Sequence, residues 1–210
     1  MLNLEFWVED QSSGKAMAIL APKLAGHSDC KVRHFYGLGH FPKKKPVSPA
    51  DKKLLLDWLP NMLRGYGKTP DCPTIVVICD LDDRNKQQFL SELDDILKSC
   101  SPKPNAVFCL AIEEFEAWYL GDLNAVKKAF PRAKSNVLGG YENDSICGTW
   151  EVLADAIYSG GSKSLSKKGL QAVGEQKSIW AETISPHMNV ERNASPSFNE
   201  MREQLRGIAV

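Results

Sequence analysis

The run TIVVICD (Thr74–Asp80) is continuous apolar sequence ended by an acid, and NAVFCLAI (Asn105–Ile112) repeats the pattern one amphipathic stretch later. A strand with one wet face alternates polar and apolar residues. Runs without alternation belong to strands covered on both faces, the condition of a parallel sheet between helix layers. Between the two runs, NKQQFLSELDDILKSC spaces Phe89, Leu93, Ile96 and Leu97 along one helical face. Upstream, LNLEFWVE reads as a first strand. SSGKAMAILAPKL reads as a helix through Met17, Ile19, Leu20 and Leu24, and KVRHFYGLGH as a second strand exposed on one face. The segment GHFPKKKPVSPADKK is loop by its breakers Gly39, Pro42, Pro46 and Pro49. Ser48 or Asp51 then caps a helix through Leu54, Leu55, Trp58, Leu59 and Leu63, which Pro60 should kink or end.

Strands alternating with helices imply an α/β fold with a mainly parallel sheet flanked by helices. After EEFEAWYLGD, where the pattern turns helical, strand signals stop. LNAVKKAF, GTWEVLADAIYSG, EQKSIWAETIS and SFNEMREQLRGI all read as short helices, and GGSKSLSKKGLQAVG as a loop or short helix. The expected organisation is an α/β core over residues 1–121 and a helical C-terminal portion, 122–210, packed against it.

A chain of 210 residues suits one domain with a full core. Lys plus Arg and Asp plus Glu both number 26, which argues against a protein that coats nucleic acid but leaves room for local phosphate-binding patches. The six cysteines form no CxxC pair, and neither they nor the four histidines show zinc spacing; Cys79 and Cys109 lie in apolar runs, as small hydrophobes do. The start, MLNLEFWVED, lacks the basic region of a signal peptide. No apolar run approaches the roughly 18–20 residues that span a bilayer. A cytoplasmic protein without membrane contact is expected.

Acids collect where the strands end: Glu9 and Asp10 after the first, Asp80, Asp82 and Asp83 after the third, Glu113, Glu114 and Glu116 after the fourth. In a parallel sheet, ligands bind outside the carboxyl ends of the strands. Any one cluster alone is explained by the charge it brings to the N-terminus of the next helix, but three clusters on one rim repel one another with no structural return. Carboxylate oxygens are the ligand set of Mg²⁺ or Mn²⁺, which bridge to phosphate. The pattern therefore points to phosphoryl-transfer chemistry at a divalent cation.

FWVED followed by SGKA, then ICDLDD, resembles the Toprim domain of topoisomerases, primases and overcoming-lysogenization-defect nucleases. The resemblance implies that Glu9 is a metal ligand or general acid/base and that Asp80 and Asp82 are the D-x-D metal ligands. EEFEAWYLGD and SIWAETISPHMNVERNASPSF are similar to a Toprim-like family of unknown function, often encoded beside AAA-type ATPases in defence islands. That similarity implies a metal-dependent nuclease acting on DNA or RNA, an effector of anti-phage defence with a partner ATPase, or a catalytically silent subunit that binds and regulates such a partner. Asp10 stands where many Toprim members have glycine or serine. Asn85 falls where topoisomerases carry a third acid, so Asp83 or Glu116 would supply it.

Glu113 and Glu116 are spaced i, i+3, so both can face one side of a helix, with Glu116 either a further ligand or an acid of the helix's first turn. Trp118 and Tyr119 read as core. Lys43, Lys44 and Lys45, in a proline-bounded loop with aromatic neighbours, are either a solvated loop or a patch that gains counterion-release energy on a polynucleotide. KSLSKK (Lys163, Lys167, Lys168) carries the same ambiguity. Lys15 and Arg84 either neutralise transition-state charge or pair with the acids beside them. SSGK lacks the first glycine and the final hydroxyl of a phosphate loop, so ATP binding is not expected.

Overall fold

The computed structural model of the chain describes residues 3–26, 29–41, 53–145 and 148–208. Four strands, β1 (Asn3–Val8), β2 (Asp29–His34), β3 (Thr74–Asp80) and β4 (Ala106–Ala111), form one sheet in the order β2-β1-β3-β4, every neighbouring pair parallel. The expected α/β architecture is present. The chain steps outward from β1 to β2, then returns past β1 to β3 and continues to β4. This reversal lies between β1 and β3.

Period-two alternation divides the strands between two cores. Leu4, Phe6, Val8, Val76, Ile78, Cys109 and Ala111 face helix α1 (Gln11–Ala25) and the C-terminal helices. Trp7, Ile75, Val77, Cys79, Phe108 and Leu110 face α2 (Leu55–Gly67) and α3 (Lys86–Lys98). Both runs that lack alternation are thus covered on both sides. Pro60 lies inside α2, which continues through it to Gly67. Leu59 and Leu63 are fully buried on either side, and their burial offsets the roughly 3 kcal/mol that an interior proline costs. The cap expected from Ser48 or Asp51 lies outside the described residues.

Beyond β4 come α4 (Glu116–Leu120), α5 (Leu123–Ala129), α6 (Ser135–Leu138), α7 (Thr149–Ile157), α8 (Gly161–Ser166), α9 (Leu170–Ile184) and α10 (Pro196–Ile208). Their apolar residues, including Trp118, Leu153, Trp180 and Phe198, belong to the same buried cluster as Phe6 and Val8. Trp118 and Tyr119 are core, as expected. Lys23 of α1 donates to the carbonyls of Ser185, Pro186 and Met188 at 2.9, 2.8 and 3.1 Å, tying α1 to the end of α9.

The segment before α10 is fixed by polar contacts. Asn193 donates to the Trp118 carbonyl at 2.8 Å, Trp118 Nε1 donates to Ser197 Oγ at 3.0 Å, and Asp144 accepts from Ser195 Oγ and Ser197 N at 2.9 and 2.6 Å. Gly121 sits against this network: a Cβ there would lie 2.0 Å from Asn193 Oδ1 and 2.8 Å from Ser195 N. Gly121→Ala should therefore lower stability by about 1–3 kcal/mol, read as a lower urea midpoint with an unchanged slope.

Candidate active site

The topological reversal opens a crevice between the carboxyl ends of β1 and β3, the place where open parallel sheets bind ligands. Glu9 follows β1 directly and Asp80 ends β3. Pairing of Val8 with Ile78 brings them level, and Asp80 N points at Glu9 Oε2 across 3.4 Å. By alternation, Asp80 shares the face of Val76 and Ile78, under the C-terminal helices.

The other acids of the rim divide by what they bind. Asp10 caps α1, accepting from Ser13 N at 2.8 Å and Ser12 Oγ at 2.9 Å. Asn85 caps α3 through Gln88 N at 3.0 Å, so the residue standing where an acid was sought is a helix cap. Glu113 precedes α4 with a left-handed backbone (φ 62°) and turns its carboxylate onto the N-terminus of α7, accepting from Gly148 N and, at 2.6 Å, from Thr149 N. The expected pairing of Glu113 with Glu116 on one helix is therefore wrong: the helix starts later, and Glu113 serves another. Glu114 accepts from Thr149 Oγ1 and Trp150 N at 3.2 and 3.3 Å. Asp82, also left-handed (φ 50°), pairs with Arg84 at 2.6 Å, while its N–H donates to the Glu113 carbonyl at 2.9 Å. Asp83 is exposed. Two non-glycine residues with positive φ, joined by one hydrogen bond, mark these strand-end loops as strained.

Glu9 and Asp80 cap no helix, while Glu116 stands in the first turn of α4, as one of the two expected roles had it, without a side-chain cap hydrogen bond. Burial, reinforced by the charges of Asp82 and Asp10, pushes the Glu9 carboxyl from its ordinary value near 4.5 up to about 7. Burial and the Glu9 charge hold the Asp80 carboxyl well above the usual carboxylate range. Glu116 is 2 % exposed, and burial takes its carboxyl to about 7. The Lys177 ammonium, 3.1 Å from Glu116 Oε2 and 2.9 Å from Glu114 Oε1, opposes that rise but is shared between the two acids. Desolvation outweighs it.

Lys177, on α9, is a site residue that the sequence reading missed: no local pattern distinguishes it from any other helical lysine. Of the cations expected at the site, Arg84 is paired with Asp82 and lies over the Phe89 ring. Lys15 is paired with Glu182 at 3.0 Å, on the α9 side of α1. Lys43, Lys44 and Lys45 lie outside the described residues. A cleft of about 550 Å³, lined by Asp10, Ser12, Lys15, Gly174 and Ser178 among others, runs between the start of α1 and α9.

Among the described residues, no three Asp, Glu, His or Cys side chains gather closely enough to enclose a metal ion. Glu9 and Asp80 still fit Mg²⁺ or Mn²⁺ in donor chemistry. They are hard oxygen ligands of like charge, and Mg²⁺ commonly takes one or two carboxylates, with waters and substrate phosphate completing its shell.

Without a divalent cation, the raised Glu9 pKa has a definite consequence. The folded chain holds the Glu9 proton more tightly than the unfolded chain, so this contribution to stability is full below about 4.5 and is lost as pH rises through about 7. Glu9→Gln in chelator should gain stability over wild type across that window, by about 1–3 kcal/mol at pH 8, measured by urea unfolding at pH 4.5 and pH 8. Residues 8–206 match the family described as "Domain of unknown function (DUF4276)". No curated protein and no solved structure matches the chain.

Proposed function

The chain belongs to the DUF4276 family, whose description assigns no activity, and from its own site we propose that it hydrolyses phosphodiester bonds of DNA or RNA with Mg²⁺ or Mn²⁺. One observation carries this reading: Glu9 and Asp80, two desolvated carboxylates, meet at the reversal of the sheet with no helix to cap. A structural role leaves their repulsion unrewarded. A cation and a phosphate together would relieve it.

Glu9 and Asp80 would hold the cation, with Asp82 joining them if it exchanges Arg84 for the ion. When bound, such an ion lowers the pKa of its water and offsets charge on the phosphate oxygens. A bound cation would ionise Glu9, and its carboxylate would then be suited to take a proton from attacking water. Arg84, released from Asp82, would face the phosphate. Glu116 lies behind Asp80, held by Lys177, and keeps the rear of the site ordered. The cleft between α1 and α9 offers room for the substrate. The resemblance to the Toprim domain supports the same assignment of Glu9, Asp80 and Asp82, and the separate similarity to the Toprim-like family supports a defence effector working beside an AAA-type ATPase.

A second reading is favoured by the Asp82–Arg84 pair, which satisfies one D-x-D carboxylate without any ion. In it the chain is a silent subunit that docks on an ATPase partner. Incubation with Mn²⁺ against duplex DNA, single strands and transfer RNA separates the two. Asp80→Ala should abolish cleavage, and Glu9→Gln should reduce it about 10²–10⁴-fold. Full cleavage by Asp80→Ala would place the active centre elsewhere, and no cleavage of any substrate by wild type would favour the silent subunit. Among the described residues no helix is long and apolar enough to cross a membrane.

A further inference from the structure

Two stretches of the helical layer carry cations and no acids. Residues 123–141 contain Lys127, Lys128, Arg132 and Lys134, and residues 156–174 contain Lys163, Lys167 and Lys168. All seven side chains are exposed, in a chain whose total charge is zero. The fold joins the stretches: Lys134 N donates to the Ala156 carbonyl at 2.9 Å, and the Lys168 ammonium lies 2.7 Å from the Tyr158 hydroxyl and 5.4 Å from its ring centre. Asp155, on the last turn of α7, accepts from Ser162 N at 2.6 Å. That hydrogen bond, and after it the charges of Lys134 and Lys163, hold its carboxyl below the usual carboxylate range. Among the described residues none of the seven cations forms an ion pair. Lys127 and Lys128 are explained by the C-terminus of α5, which their charge favours, and Lys163 by that of α8. Arg132 and Lys134 are not: neither lies in the last turn of a helix, and Lys134 stands before α6.

Between the stretches lies a cleft of about 540 Å³, lined by Phe130, Pro131, Arg132, Lys134, Ile157 and Tyr158 among others, and by no acid. Pockets of roughly 300–1,000 Å³ take small ligands or one unit of a larger one. Two half-buried aromatic residues beside two exposed cations match the two parts of a nucleotide, a flat base and a phosphate. In a duplex the bases stay stacked on one another, so only an unpaired base can enter a concavity of this kind. We propose that this cleft binds single-stranded nucleic acid, one base against Tyr158 and Phe130 and the flanking phosphates on Arg132, Lys134 and Lys168. The inference goes beyond the hydrolysis reading and does not rest on it, since no residue of the acid centre takes part. The surface adjoins that centre through the turn after α8: Ser166 lines the cleft that holds Glu114 and Lys177, and Lys167 and Lys168 follow it directly.

The test is fluorescence anisotropy of a labelled oligothymidylate with the full chain in chelator, where no metal-dependent cleavage intrudes. Saturable binding should weaken with salt, the logarithmic slope being about −0.7 for each phosphate contact. Replacing Arg132, Lys134, Lys167 and Lys168 together by Gln should lower affinity about tenfold or more and make the slope shallower. Tyr158→Leu, which keeps an apolar side chain but removes the ring, should weaken binding about fivefold or more, while Tyr158→Phe stays near wild type.

No saturable binding by wild type at low salt overturns the proposal, as does a fourfold Gln variant that binds like wild type. A labelled duplex bound as tightly as the single strand overturns it too. So does displacement of the oligonucleotide by polyglutamate as readily as by unlabelled oligothymidylate of equal charge, which would mark the face as a dock for acidic protein. Specific binding in chelator by a chain that cleaves nothing with Mn²⁺ would sink the hydrolysis reading and support this surface.

Discussion

Glu9, Asp80 and Glu116 are like charges drawn out of water at one end of a sheet, and the neighbouring structure is arranged around the cost of keeping them there. The offset comes from Lys177 at the back, Arg84 at the front and the Asp80 N–H, while both apolar cores fix the strands that hold the acids in place. A buried pair of this kind contributes little net stability, because desolvation consumes much of its attraction. Net stability therefore does not account for its presence.

The C-terminal helices are part of that arrangement. α9 delivers Lys177 from the face of the sheet toward which Asp80 points, and Lys15 and Lys23 of α1 fix α9 by an ion pair and by three carbonyl contacts. Glu113 and Glu114 in turn anchor α7, so that the loop after β4 is locked between the sheet and the helical layer. The acid centre thus sits where the sheet and the helical layer meet. Motion of α9 would change its charge balance directly.

The contrast with Glu5 shows why burial of an acid is not by itself a site. Glu5 is as buried as many core residues, yet Trp7, Arg33 and Tyr66 all donate to it, at 2.8–3.1 Å, on the opposite face of the sheet. Its polar demand is met in full by permanent neighbours. Glu9 has one long contact from a backbone N–H and three acids nearby. The difference lies in partners rather than in residue type.

Much of the fold was legible because hydrophobic periodicity is local. The unbroken runs at Thr74–Asp80 and Ala106–Ala111 required cover on both faces, and the spacing of Phe89, Leu93 and Leu97 required a helix between them. The acids of the rim were legible as a group for the same reason, since each follows directly from a strand end. Their division of labour was not. Asp10, Glu113 and Glu114 became helix caps, and Asp82 an arginine partner, according to which N-termini and cations the folded chain brings within 3 Å or so of each carboxylate. Glu113 in particular serves a helix that begins far along the chain, and Lys177 arrives from farther still. Sequence by itself determined the strands, the parallel sheet and the supply of carboxylates, because side-chain periodicity and chain order are enough for these. Only the tertiary structure decided which acids remain without a structural duty and which cation meets them, because electrostatic energy depends on distance in space and on exclusion of water, and neither follows from separation along the chain.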